Sequence, residues 1–239
     1  MINRKKILIV GGTSELGQYL SNLFSKQKNE VYIAGRKFSS EKFSPDVKFF
    51  KTDILKPKSL NNFIKKIKNI DFDIVIHNIG GSLGLRDPLN KLEEFKKVWD
   101  FNFGYIIPIN NIVIPRMLKK KWGRIVHVSS GTAQNLSGGA AYSSVKSALN
   151  TYSQSLAKDF GQFNVIISAI NPGPIRVKGK FLTKQEKKNT KMWKNFVEAN
   201  LPIKRTAEIK EIGDVVEFLC SKKSSYCSGA VWNIDAMQK

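Results

Sequence analysis

Short apolar runs rich in β-branched residues recur along the chain, separated by longer stretches in which apolar residues return every three or four positions. KKILIVGG, EVYIAGR, VKFFKTDI, FDIVIHNIGG, GRIVHVSS, NVIISAINPG and AVWNIDA are read as seven strands. SELGQYLSNLFSKQ, the Pro57-led PKSLNNFIKKIKN, LEEFKKVWDFNF and AAYSSVKSALNTYSQSLAKDF are read as helices. Strand and helix in alternation predict an α/β fold, a doubly wound seven-stranded parallel sheet with helices on both faces. The 239 residues suit a single domain of this kind. Ligands of such sheets bind beyond the carboxyl ends of the strands, where strand order reverses. Gly11 to Gly17, Arg36, Asp53, Asn78 to Gly81, Ser129 with Ser130, and Asn171 to Ile175 each follow a strand, so one edge of the sheet is expected to gather them.

The alternation breaks at residues 176–205, which read as a lid over a substrate. Thr183 and Glu186 fit a capping box, and Met192, Trp193, Phe196 and Val197 give the helix that follows an apolar stripe, to close over a substrate or to pack against the body of the domain. Seven lysines between Lys178 and Lys194 would draw a phosphate or carboxylate, or keep the segment soluble.

Composition narrows the picture. Hydrophobic residues at 41% and charged residues at 25% are ordinary for a globular chain. The apolar run at Ile7 to Val10 is too short for a secretory core or a membrane span, so a cytoplasmic protein with no membrane partner is expected. Cys220 and Cys227 read as free thiols, and His77 and His127 as core or strand-end residues, so no metal site is expected. The net charge of +21 is high, yet only seven of the 40 basic residues are Arg and the lysines are scattered. Solvated lysine faces are the first reading, and an anionic substrate is the second. Nucleic acid is disfavoured because no helix-turn-helix, zinc or RNA-binding pattern accompanies the charge.

The candidate chemistry begins with Tyr142 and Lys146, four residues apart on one helical face. A phenol titrates near 10, and a cation beside it favours the phenolate. The shift of about three units needed for work at neutral pH is about 4 kcal/mol, roughly what two charges about 4 Å apart supply at an effective dielectric of about 20. Tyr142 is therefore read as a proton donor tuned by Lys146.

In ILIVGGTSELGQYL an apolar strand enters a glycine turn and leaves as a helix, an arrangement suited to a pyrophosphate. Gly11 and Gly17 fit the first and third glycines of a GxxxGxG loop, with Thr13, Ser14 and Leu16 as further candidates, while Glu15 fills the middle glycine position. Nineteen residues beyond Gly17, Arg36 stands where an acid would hold the ribose hydroxyls of NAD; a guanidinium there favours the 2′-phosphate of NADP.

Together these residues resemble the short-chain dehydrogenase/reductase family, in particular its single-domain members of the 3-oxoacyl carrier-protein reductase type, over essentially the whole chain. The resemblance implies a Rossmann fold and hydride transfer between a nicotinamide and a carbonyl or alcohol carbon, with NADP(H) preferred to NAD(H). It implies that Asp53, with neighbouring Ile54, lies at the adenine, and that the His77, Asn78, Ile79, Gly80 turn supports the cofactor. Pro172, Gly173 and Ile175 then lie beside the nicotinamide. Asn102, Ser130, Tyr142 and Lys146 match the catalytic set. Ser130 would hold the carbonyl oxygen, Tyr142 would deliver its proton, Lys146 would tune Tyr142 and bind the ribose, and Asn102 would position a relay water. Ser130 lies 12 residues before Tyr142, and Ser129 stands as the alternative because it restores the usual spacing. Glu15 and Val177 depart from the pattern at the cofactor, and Asp235, Ala236 and Met237 replace a common DGG. The resemblance further implies a homodimer or homotetramer and a carbonyl or alcohol substrate, anionic or carrier-bound. The rival reading is a non-catalytic NADP-binding sensor or scaffold, since fold alone does not fix function.

Overall fold

The computed structural model describes residues 4–176 and 189–238. Seven strands form one sheet: β1 (Lys6–Val10), β2 (Glu30–Gly35), β3 (Lys48–Lys51), β4 (Ile74–His77), β5 (Gly123–Val128), β6 (Val165–Pro172) and β7 (Val231–Ile234). All neighbours are parallel, in the order β3-β2-β1-β4-β5-β6-β7. The helices are α1 (Glu15–Lys26), α2 (Pro57–Ile67), α3 (Leu92–Trp99), α4 (Ile106–Lys120), α5 (Thr132–Asn135), α6 (Ala140–Phe160), α7 (Thr190–Asn200) and α8 (Ile209–Cys220).

The strand code explains how the sheet is covered. Successive side chains point to opposite faces. Leu8, Val10, Ala34 and Val75 therefore join one core with Phe63 of α2, Ile109 and Val113 of α4, and Val145 and Leu149 of α6. Ile7, Ile9, Ile33 and Ile76 join the other with Leu20 of α1 and Ile212 and Val216 of α8. Apolar residues on both sides of one strand are what a doubly covered parallel sheet needs. Pro57 opens α2 at a position where its missing N–H costs nothing. The seven strands fall within the runs read from the sequence.

The segment read as a lid begins and ends side by side, since Ile175 bridges Ala207 in parallel and Arg176 N–H donates to Ala207 O at 2.9 Å. Between them α7 is capped by Asn189, whose side chain accepts from Met192 N–H at 2.9 Å. The expected cap at Thr183 and Glu186, and Val177, lie outside the described residues. Among the described residues no helix is long and apolar enough to cross a membrane, and no cluster of His, Cys, Asp and Glu could hold a metal ion. Cys220 and Cys227 are free thiols.

His77 and His127 are register partners on β4 and β5, both buried, with rings stacked 5.2 Å apart. Burial disfavours the imidazolium, lowering His77 from 6.5 to about 4 and His127 well below 6.5. Between 4 and 6.5 the unfolded chain binds more protons than the folded one, so stability is full above about 6.5 and is lost as pH falls toward 4. For His77 alone the loss is roughly 3 kcal/mol. Urea unfolding at pH 7 and pH 4.5 should show this drop, and His77→Gln should flatten it; equal pH dependence in both proteins would contradict the assignment.

Candidate active site

The chain runs outward from β1 to β3 and resumes at β4 on the other side of β1, so a crevice opens between the carboxyl ends of β1 and β4. Gly11 and Asn78 meet there. Asn78 N–H donates to Val10 O at 2.8 Å, and its Nδ2 donates to Ser14 Oγ at 2.8 Å and Gly11 O at 3.3 Å. Ser14 caps α1 by accepting from Gly17 N–H at 3.1 Å. Gly11 has φ of +85°, and a Cβ there would lie 2.7 Å from Asn78 O, while a Cβ on Gly17 would run into the Gly11 carbonyl. This narrow turn at a helix N-terminus fits the pyrophosphate of a dinucleotide.

The flanking candidates are distributed around this turn. Thr13 lies against Gly35, whose Cβ would meet the Thr13 hydroxyl, and Arg36 is exposed immediately after β2. Leu16 is a core residue of α1. Glu15 borders a surface groove with Gln18, Tyr19, Asn22 and Ile209, and it does not line the cavity described below. Asp53 Oδ1 accepts from Leu55 N–H at 3.2 Å, which fixes the turn after β3, and Ile54 is buried beneath it.

Gly80 is the meeting point of the turn after β4 with two helical segments. A Cβ on it would stand 2.8 Å from Lys146 Nζ and 3.0 Å from Asn102 Oδ1. Asn102 lies in a π-helical segment, Asp100–Gly104, between α3 and α4. Such segments widen a helix by one residue and free backbone groups from the regular ladder. Its side chain is fully engaged: Oδ1 accepts from Gly81 N–H at 2.9 Å, and Nδ2 donates to Gly81 O at 2.9 Å and Val98 O at 2.8 Å. The Asn102 amide thus clamps the Gly80 turn.

Tyr142 and Lys146 lie on α6 as expected, but their electrostatics differ from the sequence expectation. Lys146 is 1% exposed and its Nζ donates to Val128 O at 2.9 Å, standing 5.9 Å from the centre of the Tyr142 ring. Burial brings its pKa down to about 7. Burial raises the Tyr142 pKa, and a hydrogen bond with Ser130 opposes that rise. The protein's own groups therefore do not make Tyr142 acidic. Desolvation disfavours the charged form of both partners, a cost that a simple charge–charge estimate leaves out.

The two serines separate cleanly. Ser129 is buried with its Oγ donating to Lys146 O at 3.1 Å, whereas Ser130 meets Tyr142 and lines a cavity of about 590 Å³. Pro172 and Gly173 line the same cavity, with Gly131 N–H donating to Pro172 O and Gly173 N–H to Ile234 O, both at 2.9 Å. Ile175 packs instead against the α1–α8 core. Met192, Trp193 and Phe196 of α7 form the apolar wall that the stripe suggested, with the two rings stacked at 5.3 Å. Sequence reasoning missed Arg86 and Gly138 as cavity residues. Gly138 had a local signal, the Gly138–Gly139 pair ahead of a helix; Arg86 had none.

A crevice at the strand-order reversal, a glycine turn on a helix N-terminus, and Ser–Tyr–Lys beside a cavity define a nucleotide-dependent oxidoreductase of the Rossmann type. The family model described as enoyl-(acyl carrier protein) reductase matches residues 15–236, and the chain belongs to the short-chain dehydrogenase/reductase family. It is thus an enzyme of the kind that interconverts CH–OH and carbonyl groups with NAD(P)(H). It is similar to the 3-oxoacyl-[acyl-carrier-protein] reductase FabG of Aquifex aeolicus, 28% identical across 97% of this chain and 96% of that protein. In fold it is similar to L-sorbose reductase of Gluconobacter frateurii, at TM-score 0.87, 23% identity and coverage of 99% and 97%. A 3-oxoacyl (acyl-carrier-protein) reductase of Agrobacterium tumefaciens with NADP bound also has TM-score 0.87, at 18% identity and coverage of 97% and 93%.

Gly138 gives a direct test of the Ser130–Tyr142 contact, since a Cβ there would lie 2.5 Å from Tyr142 Cδ1. Gly138→Ala should displace the ring from Ser130 and so raise the Tyr142 pKa further. Titration of 13Cζ-labelled tyrosine measures it, and an unchanged Tyr142 curve would rule the contact out.

Proposed function

We propose that this enzyme is an NADP(H)-dependent reductase that converts a carbonyl to a secondary alcohol with Tyr142 as general acid. The observation that carries this reading is the placing of Ser130 and Tyr142 together at the cavity wall, with Lys146 buried one turn further along α6. Two hydroxyl groups held together beside an apolar wall suit one carbonyl oxygen, which gains negative charge as it is reduced. The bound nicotinamide supplies the hydride. Ser130 holds the carbonyl oxygen, and Tyr142 donates its proton to that oxygen as the charge develops.

Lys146 is the reserve behind Tyr142. At a pKa of about 7 it exchanges protons readily at neutral pH, and a dinucleotide ribose beside Gly80 would give its ammonium new acceptors and favour the charged form. The protonated Lys146 then stabilises the Tyr142 phenolate left after proton transfer. Asn102 clamps the Gly80 turn through its side chain, which leaves the positioning of a relay water to main-chain groups of the π segment.

Gly11, Thr13, Ser14 and Gly17 would hold the pyrophosphate, Asp53 and Ile54 would border the adenine, and Arg36 would pair with the 2′-phosphate. The substrate is a carrier-bound or otherwise anionic carbonyl compound whose apolar part lies on Met192, Trp193 and Phe196. Similarity to 3-oxoacyl carrier-protein reductases and the presence of Arg86 at the cavity support this choice. The reading extends to a homo-oligomer in the cytoplasm, which the same similarity supports.

Tyr142→Phe should lower turnover of a 3-oxoacyl thioester with NADPH by about 100- to 10,000-fold while NADPH still binds. Stopped-flow oxidation of NADPH and a fluorescence titration measure the two separately; undiminished turnover would refute the role of Tyr142, and NADPH binding without turnover by the unaltered protein would favour a sensor. Arg36→Asp should cost about 1.5–3 kcal/mol of NADPH affinity and shift preference toward NADH by roughly tenfold or more. An unchanged ratio of the two dissociation constants would remove Arg36 from the site.

A further inference from the structure

Beneath the cavity a chain of buried polar groups crosses from β4 to α6. His77 Nε2 lies 3.0 Å from Asn110 Oδ1, Asn110 Nδ2 lies 3.4 Å from His127 Nε2 and 3.3 Å from Tyr152 Oη, and His127 Nδ1 lies 2.7 Å from Ser153 Oγ. Ser153 Oγ donates to Leu149 O at 2.7 Å. His77, Asn110, His127 and Ser153 are all 0–1% exposed.

The direction of the bonds is determined by their chemistry. The Asn110 oxygen accepts, so His77 carries its proton on Nε2; the Asn110 amide donates, so His127 accepts on Nε2 and donates from Nδ1 to Ser153. The Asn110-to-His127 link therefore requires a neutral His127 ring, and burial keeps both rings neutral at neutral pH. Hydrogen bonds between buried polar groups are rigid and directional, and the chain ends at His77, whose Nδ1 has no partner.

Its members sit beside the candidate catalytic groups on four separate elements. His77 precedes Asn78, which braces the phosphate turn. Asn110 is on α4, directly after the π segment that carries Asn102. His127 precedes Val128, whose carbonyl holds Lys146, and then Ser129 and Ser130. Tyr152 and Ser153 follow Lys146 on α6, and Leu149 is one position short of a full turn beyond it.

We propose that the His77–Asn110–His127–Ser153 chain is a positioning device that fixes α4 and α6 against β4 and β5 so that Lys146 Nζ reaches Val128 O beside Tyr142. None of its members touches substrate; they act through Lys146. This inference rests on the reductase reading only for its consequence in turnover, since the position of Lys146 is measurable without any substrate.

The test uses the full chain with 13Cε-labelled lysine. Asn110→Leu and His127→Leu remove polar links, His127→Asn keeps a hydrogen-bonding side chain, and Ile109→Val trims the neighbouring apolar position of α4. In the unaltered protein Lys146 titrates near neutrality. The two leucine variants should move its titration by a unit or more toward the ordinary lysine value, His127→Asn should restore most of the original curve, and Ile109→Val should leave it in place despite lowering the melting temperature. Where turnover is measurable, kcat should fall about 100-fold in the leucine variants with KM for NADPH within about twofold, as a displacement near 1 Å predicts. An unmoved Lys146 curve in both leucine variants, or an equal shift in Ile109→Val, would overturn the proposal. Should a leucine variant fail to fold, Tyr152→Phe removes one hydroxyl from the chain and must show a smaller shift in the same direction; no shift there would also overturn it. A protein that never oxidises NADPH but shows these Lys146 shifts would refute the reductase reading and leave the positioning device standing.

Discussion

A primary ammonium sealed inside a protein must find acceptors or lose its proton, and Lys146 is held between these outcomes. Only the Val128 carbonyl accepts from it among the described contacts, and desolvation has brought its pKa to about 7. Everything around the site bears on that group. Gly80 lacks a side chain where a Cβ would collide with Nζ, Ser129 anchors the Lys146 carbonyl, and Asn102 clamps the turn that carries Gly80. A lysine poised in this way responds strongly to any new neighbour, because a single added acceptor or anion changes the balance by more than the ordinary surface pair would.

The glycine turn before α1 meets a different constraint. A helix N-terminus attracts anions through its free N–H groups, and here Ser14 takes the Gly17 N–H while Asn78 braces Ser14 from β4. Glu15, the residue most at odds with an anion site, borders the groove with Tyr19 and Ile209. The departure from the glycine pattern is thus accommodated where α1 meets α8. The cavity beside Tyr142 has fewer constraints on its far wall. There the aromatic pair of α7 offers apolar surface rather than a fixed set of hydrogen bonds, which suits selection by shape and length.

Much of this was legible in the chain because periodicity and turn chemistry are local. Leu8 and Val10 alternate with Ile7 and Ile9, and that alternation is enough to require cover on both faces. Ser14, Gly17, Pro57, Ser130 and the Tyr142–Lys146 spacing are likewise readable within a few residues. What escaped depends on contacts between distant segments. Gly138 matters because the Tyr142 ring lies against it, Arg86 because the loop after β4 folds back to Gly139, and Asn102 as a clamp because a π segment turns it toward Gly81. The sign of the Tyr142 shift was missed for the same reason: charge spacing is visible in a sequence, but desolvation is a property of the packed molecule.

His77 and His127 show most clearly how a sequence can identify a residue's place without its meaning. Both read as strand-end core residues, and both are buried in neighbouring strands. A core position alone would be filled more safely by an aliphatic residue, since burying two imidazoles makes the fold sensitive to acid. The chain retains them together with Asn110, Tyr152 and Ser153, a set that has no use for polarity unless the polar links themselves are required. Apolar packing tolerates small slips of one helix against another, whereas a directional hydrogen-bond chain permits one register. The polar set beneath Lys146 therefore gives up some stability at low pH for a fixed relation between α4, α6 and the sheet. On the proposed mechanism, that relation is what the proton transfer from Tyr142 needs most.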